Sequence, residues 1–159
     1  MYSILALSLI GLNTIFQLSL PPALAQRTQS RGESSECTVA LQNARSKMEK
    51  GTKVKVVEMR KFDIRQREYT DYPKNRPFGY GFKLSGSEVE STMNSIEFLK
   101  SISTDVTKNC KTVSMVTFNQ DKTHWVTTYG LIDENTVRGF KCVAPDSSTK
   151  ITWGYVICI

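Results

Sequence analysis

Near residue 110 the hydrophobic pattern of this chain changes period, and that change restricts it to folds that mix helix and strand. Upstream, Val89, Met93, Ile96, Leu99, Ile102, Val106 and Cys110 recur at steps of three and four, one apolar stripe along a helix. Downstream, Val113, Met115, Trp125, Thr127, Tyr129, Leu131, Val137, Trp153, Tyr155 and Ile157 fall on two-residue steps, as residues on one face of a strand do. A one-sided helix and one-sided strands each need cover, and each supplies it to the other.

The polar connections at 119–122, 133–135 and 144–149 are of hairpin size, so the spacing predicts strands over 112–119, 123–132, 136–143 and 150–158 as a four-stranded antiparallel meander. The expected fold class is α+β: this C-terminal meander plus one or two N-terminal strands, packed on the central amphipathic helix 87–110, with a shorter N-terminal helix. Two start signals compete within 87–110. Ser87 with Glu90 forms a capping box, and Asn94-Ser95 with Glu97 reads as a second cap, so the helix either runs unbroken or begins at Ser95 after a separate turn.

Ahead of that helix, Val39, Leu41, Ala44 and Met48 predict a helix over 38–50, stopped by Gly51. Residues 53–63 alternate, with Val54, Val56 and Glu58 on one side and Lys53, Lys55, Val57, Met59 and Lys61 on the other. The exposed lysines suit an edge strand. Residues 65–77 contain Pro73 and Pro77 and have no period, which predicts a long loop. Phe78 to Leu84 then resume a short strand.

The first 25 residues hold no charged side chain, 4–20 is apolar, and Ala23-Leu24-Ala25 is a small-x-small cleavage signal. We read residues 1–25 as a secretory signal peptide, 26–36 as a flexible polar arm and 37–159 as a single domain, secreted or periplasmic and off the membrane once the leader is cut. Retention of the segment as an anchor is the alternative. Cys37, Cys110, Cys142 and Cys158 are spaced 73, 32 and 16 apart with no Cys-x-x-Cys hook, so disulfides are expected and a metal site is not. In a four-stranded meander the start of the first strand lies beside the end of the fourth, which predicts Cys110 paired with Cys158 and Cys37 with Cys142.

Charge is concentrated in one segment. The chain carries 21 Lys or Arg against 15 Asp or Glu, a net +6, and residues 45–83 hold 12 against 5, leaving 9 against 10 elsewhere. Within that segment Arg60, Lys61, Arg65, Arg67, Tyr69, Tyr72, Lys74 and Arg76 interleave cations with rings, a mixture suited to an anionic glycan or an acidic protein. The plainer reading is a solvated basic face. Residues 76–80 (RPFGY) differ from the RNA-binding motif in having Pro77 for its glycine and Gly81 for its apolar residue, so nucleic acid is not an expected partner.

Catalytic signals are sparse. His124 is the only histidine, and no G-x-S-x-G elbow is present. Asp63, Glu68 and Asp71 offer carboxylates beside Arg and Lys, where neutralised partners are the commoner outcome. Trp125, Tyr129, Trp153 and Tyr155 form either a sugar-binding strip or, if the helix covers them, core.

The sequence from STMNSIEFLKSIS through NC, VSMVTF, WVTTYGLI and FKCV, behind a leader ending LPPALAQ, resembles small exported proteins of cyanobacteria. The resemblance spans roughly residues 78–159 and implies an exported single domain, with no catalytic residues. The expected function, carried by the basic aromatic loop at 60–80, is non-enzymatic, cofactor-free binding of an anionic partner, an envelope glycan or an acidic protein, by a monomer. The alternatives are an envelope-polymer hydrolase using loop carboxylates and a protein-interaction or inhibitor module.

Overall fold

The computed structural model describes residues 33–67, 69–144 and 150–157; the predicted leader, most of the predicted arm, Glu68 and Cys158 lie outside them. Helix α1 spans Ser35–Glu49, starting earlier than the apolar spacing indicates because the Ser34 side chain accepts the Cys37 N–H at 3.3 Å and so caps it. Its Cys37, Ala40, Leu41, Ala44 and Met48 are buried, whereas Val39 faces outward. Gly51 takes φ 73° just past the end, a conformation that glycine adopts without a Cβ penalty.

Strand β1 (Lys55–Asp63) is followed by a 3₁₀ turn (Ile64–Arg67) that buries Ile64, then by β2 (Tyr69–Thr70) and β3 (Phe78–Ser85). Two helices follow, α2 (Val89–Asn94) and α3 (Ile96–Asn109), and then β4 (Val113–Gln120), β5 (Val126–Leu131) and β6 (Val137–Gly139). The chain closes with β7 (Lys141–Val143), β8 (Ile151–Thr152) and β9 (Tyr155–Ile157). The main sheet has the order β1-β3-β4-β5-β6 and is antiparallel except between β3 and β4, which run parallel because α2 and α3 cross between them. Strand β1 stands at its edge. A bulge between Val56 and Glu58 turns the strand over, so that Val54 and Val56 enter the core while Glu58, Arg60 and Phe62 belong to the opposite face.

The core joins α1 and α3 to one face of this sheet. Leu99, Ile102 and Val106 share a cluster with Tyr80, Phe82, Leu84, Val116, Phe118 and Tyr129, and the Phe82 and Phe118 rings stack at 5.6 Å. Full burial of such a side chain stabilises by about 1.5–3 kcal/mol. Ile96 does not join them: it is 64% exposed at the first turn of α3. The break at Ser95 (φ −82°, ψ 76°) shifts the stripe, and the buried polar positions Ser103 and Thr107 satisfy their hydroxyls on the carbonyls of Leu99 (2.8 Å) and Ser103 (2.9 Å). The Ser87 capping box does not form. Glu88 occupies the cap position, and its carboxylate instead accepts the Lys53 N–H at 3.2 Å.

Two expectations are corrected. The main sheet takes only β4, β5 and β6 from the predicted four-stranded meander. At Phe140 the chain leaves it, and Gly154 (φ 95°) splits the predicted last strand into β8, which pairs parallel with β2, and β9, which pairs parallel with β7. Without a fourth meander strand the predicted disulfides lose their basis. Cys37 bonds to Cys110, with Cα atoms 4.4 Å apart, which excludes both Cys110–Cys158 and Cys37–Cys142. Cys142 is disulfide-bonded as well.

Candidate functional site

Alternation along the strands sends a second set of side chains to the sheet face away from the helices. Register aligns them in rows. Glu58, Lys83, Asn119 and Val126 form one row, Arg60, Gly81, Thr117 and Thr128 the next, and Phe62, Gly79, Met115 and Gly130 a third. Neighbouring strands stand about 4.8 Å apart, so a row crosses some 14 Å of sheet. The β4–β5 hairpin with His124 and Trp125 flanks this face, as do Tyr69, Phe140, Ile151 and Val156 of the smaller elements, and together they enclose a groove of about 1380 Å³.

The third row is the groove's apolar end. The Phe62 ring lies over Gly79 and the Phe140 ring over Gly130, so closely that a Cβ at either glycine would stand 2.3 or 2.4 Å from a ring carbon. Tyr69, Phe140 and Trp153 meet edge to face, with centroids 4.9 to 6.1 Å apart, and the Trp153 indole N–H donates to the Leu131 carbonyl at 2.7 Å. Burial in this cluster pushes the Tyr69 hydroxyl pKa up.

Four cations, Arg60, Arg67, Lys83 and Lys122, face two carboxylates, Glu58 and Asp121, around the groove. Lys83 and Glu58 pair at 2.8 Å, a contact that lowers the carboxyl pKa and raises that of the ammonium, so both stay charged at neutral pH. Arg60 reaches Glu58 only at 4.0 Å and is exposed. The Arg67 guanidinium stacks 4.3 Å over the Phe62 ring and forms no ion pair among the described residues. Between these charges lie hydroxyl and amide groups from Thr117, Asn119, Gln120, Thr123 and Thr128.

The eight residues singled out from the sequence divide among four places. Arg60, Arg67 and Tyr69 line the groove. Lys61 and Arg65 gather at Phe78, with Lys61 paired to Glu33 and 4.2 Å from the ring, and Arg65 held by Asp63 at 2.5 Å. Lys74 sits 4.0 Å over the Tyr72 ring. Arg76 is structural, donating to the Thr107 carbonyl at 2.7 Å and the Val113 carbonyl at 3.3 Å.

The other candidates are dispersed. The Asp63 carboxyl is held below its usual range, chiefly by the hydrogen bond from Arg65, the reverse of the shift a general acid needs at neutral pH. Asp71 adopts φ 56° in the loop before β3. Tyr129 is buried and donates to the Ile96 carbonyl at 3.2 Å, Trp125 packs at the core edge beside the groove, and Trp153 and Tyr155 belong to the small C-terminal elements. No family model, curated protein or solved structure matches this chain. Among the described residues no group of His, Cys, Asp and Glu is arranged to hold a metal ion, and no helix is long and apolar enough to cross a membrane.

Sequence reasoning did not find Lys83, Asn119, Thr117, Thr128 or Lys122. Alternation from Val113 and Met115 puts Thr117 and Asn119 on the apolar face, whereas in the structure Val116 and Phe118 enter the core and Met115 joins Thr117 and Asn119 at the groove. Their convergence depends on β3 lying between β1 and β4, an order that alternation does not encode.

Proposed function

We propose that this chain is an exported, non-enzymatic binding protein whose groove holds an acidic polysaccharide of the cell envelope or extracellular matrix. The observation that carries the reading is the groove itself: an open, cation-rich channel whose floor offers hydroxyls and amides and whose far end is lined by rings. Arginine forks match carboxylates in two parallel hydrogen bonds, while Thr, Asn and Gln side chains exchange hydrogen bonds with sugar hydroxyls. Export is supported by the Cys37–Cys110 disulfide, since such bonds persist in oxidising compartments, and by the resemblance to small exported cyanobacterial proteins. An acidic protein partner fits the charge alone and does not account for the hydroxyl-lined floor.

The test is retention on immobilised polygalacturonate at low salt. Arg60→Gln with Arg67→Gln should release the protein at lower salt, whereas Arg65→Gln with Lys74→Gln, outside the groove, should leave elution almost unchanged. Equal effects from the two pairs would reduce the interaction to net charge and remove the reading.

A further inference from the structure

Gly81 is a glycine that its backbone does not demand and over which no ring is packed. Its φ lies outside the left-handed region, and a Cβ there would meet only the Thr117 hydroxyl at 3.2 Å, the Arg60 carbonyl oxygen at 3.8 Å and the Asn119 amide nitrogen at 3.9 Å. The other two glycines on this face explain themselves, because each lies beneath a ring. Phe62 covers its cross-strand partner Gly79, and Phe140 covers Gly130. Both glycines are buried and are cut off from the groove, while Gly81 remains part of its lining. Arg60 is paired with Gly81 in register as Phe62 is with Gly79, yet its side chain does not close over the glycine. Close approach of another group to the backbone is one of the uses of a strand glycine, and no ring of this chain fills the space over Gly81.

We infer that Gly81 is the floor of a single-ring subsite, on which one uronate residue of an acidic polysaccharide lies flat as Phe62 lies on Gly79. The ring's carboxylate meets Arg60, which is exposed directly across the strand pair, or Arg67, stacked on Phe62 one row away. Thr117 and Asn119, the nearest side chains on β4, present a hydroxyl and an amide at the ring's edge for its hydroxyl groups. This assignment rests on the glycan reading above and adds to it a position and a ring-sized contact.

The experiment uses oligogalacturonate as probe and its methyl-esterified form as the uncharged control, with affinity measured by calorimetry. Gly81→Val should weaken oligogalacturonate binding by about tenfold or more while Arg60→Gln weakens it by a comparable factor, and esterification should mimic Arg60→Gln. If Arg60→Gln weakens binding and Gly81→Val does not, the subsite is wrong and the glycan reading stands. If the unaltered protein shows no binding, both fall. Should Gly81→Val lower the melting temperature, titration of the unaltered 15N-labelled protein decides instead. The largest amide shifts are expected at Gly81, Thr117 and Arg60, and shifts confined to the 121–125 hairpin would overturn the assignment.

Discussion

Cys37, in the first turn of α1, is bonded to Cys110, the residue that closes α3, across 73 positions of sequence. The bond ties together the two helices that cover the main sheet, and both half-cystines are 1% exposed. Closing a loop of this length restricts the unfolded chain by about 4 kcal/mol in the chain-entropy description. Cys37→Ala with Cys110→Ala should therefore lower the free energy of unfolding in urea by an amount of that order. The shielded sulfurs should also resist a mild reductant until the protein is partly unfolded, which thiol labelling over a denaturant series would detect. Labelling of Cys37 at zero denaturant would contradict the packing.

Arg76 donates to the Thr107 carbonyl near the C-terminal end of α3 and to the Val113 carbonyl at the start of β4, while its own carbonyl accepts the Ser114 hydroxyl at 2.7 Å. A cation among helix-end carbonyls is stabilised by the helix dipole, and hydrogen bonds from charged groups contribute about 1.5–3 kcal/mol. Arg76→Ala should destabilise by roughly 2 kcal/mol in thermal or denaturant unfolding and leave retention on polygalacturonate unchanged in the folded fraction. Loss of retention without loss of stability would return Arg76 to the binding surface.

The contrast between Arg76 and Arg67 shows what the sequence could disclose. Both stand in one basic, ring-rich segment, and composition alone treats them alike. Their separation depends on where the loop's return leg and the 3₁₀ turn lie in space. Patterns with a period survived best: Leu41, Ala44 and Met48 of α1, the edge strand β1 and the first three strands after α3 have local causes, as does the break at Ser95, one of the two helix starts the sequence offers. Failures came where one residue redirects the chain. Gly154 splits a well-alternating segment, Phe140 folds over Gly130, and β2 pairs with β8 across some 80 residues. Each of these is a long-range packing event with no local period.

Tyr80 is buried beside Glu33, and its phenol pKa is pushed up to about 12, first by burial and then by the carboxylate's charge. The unfolded tyrosine ionises near its ordinary value of about 10, so above that pH the unfolded state loses the proton first and folding weakens. Stability from this group is fully present below pH ~10 and is lost as pH rises through its folded value. Melting temperatures should fall across that alkaline window, with a shallower fall in Tyr80→Phe. Equal slopes in the two proteins would assign the loss to Tyr69 and Tyr129, whose pKa values burial also raises.

Gly79 and Gly81 occupy alternate positions on one strand and belong to the same face of the sheet, but the space above them differs, and substitution should separate them. A Cβ at Gly79 would stand 2.3 Å from Phe62, so Gly79→Ala must displace that ring and, with it, the Arg67 guanidinium stacked above. Forcing bulk into an occupied site costs about 1–3 kcal/mol. At Gly81 the nearest atom is a hydroxyl oxygen at 3.2 Å, which a small rotation of Thr117 relieves, so Gly81→Ala should change stability by less than about 1 kcal/mol. Phe62→Ala should recover much of the Gly79→Ala loss when the two are combined, because the clash is absent in the double variant. A coupling of about 1 kcal/mol or more between them, with none between Gly81→Ala and Phe62→Ala, is the expected result of the two double-mutant cycles. Additive behaviour at Gly79 would mean that Phe62 does not cover it, and would leave Gly81 no different from its neighbour.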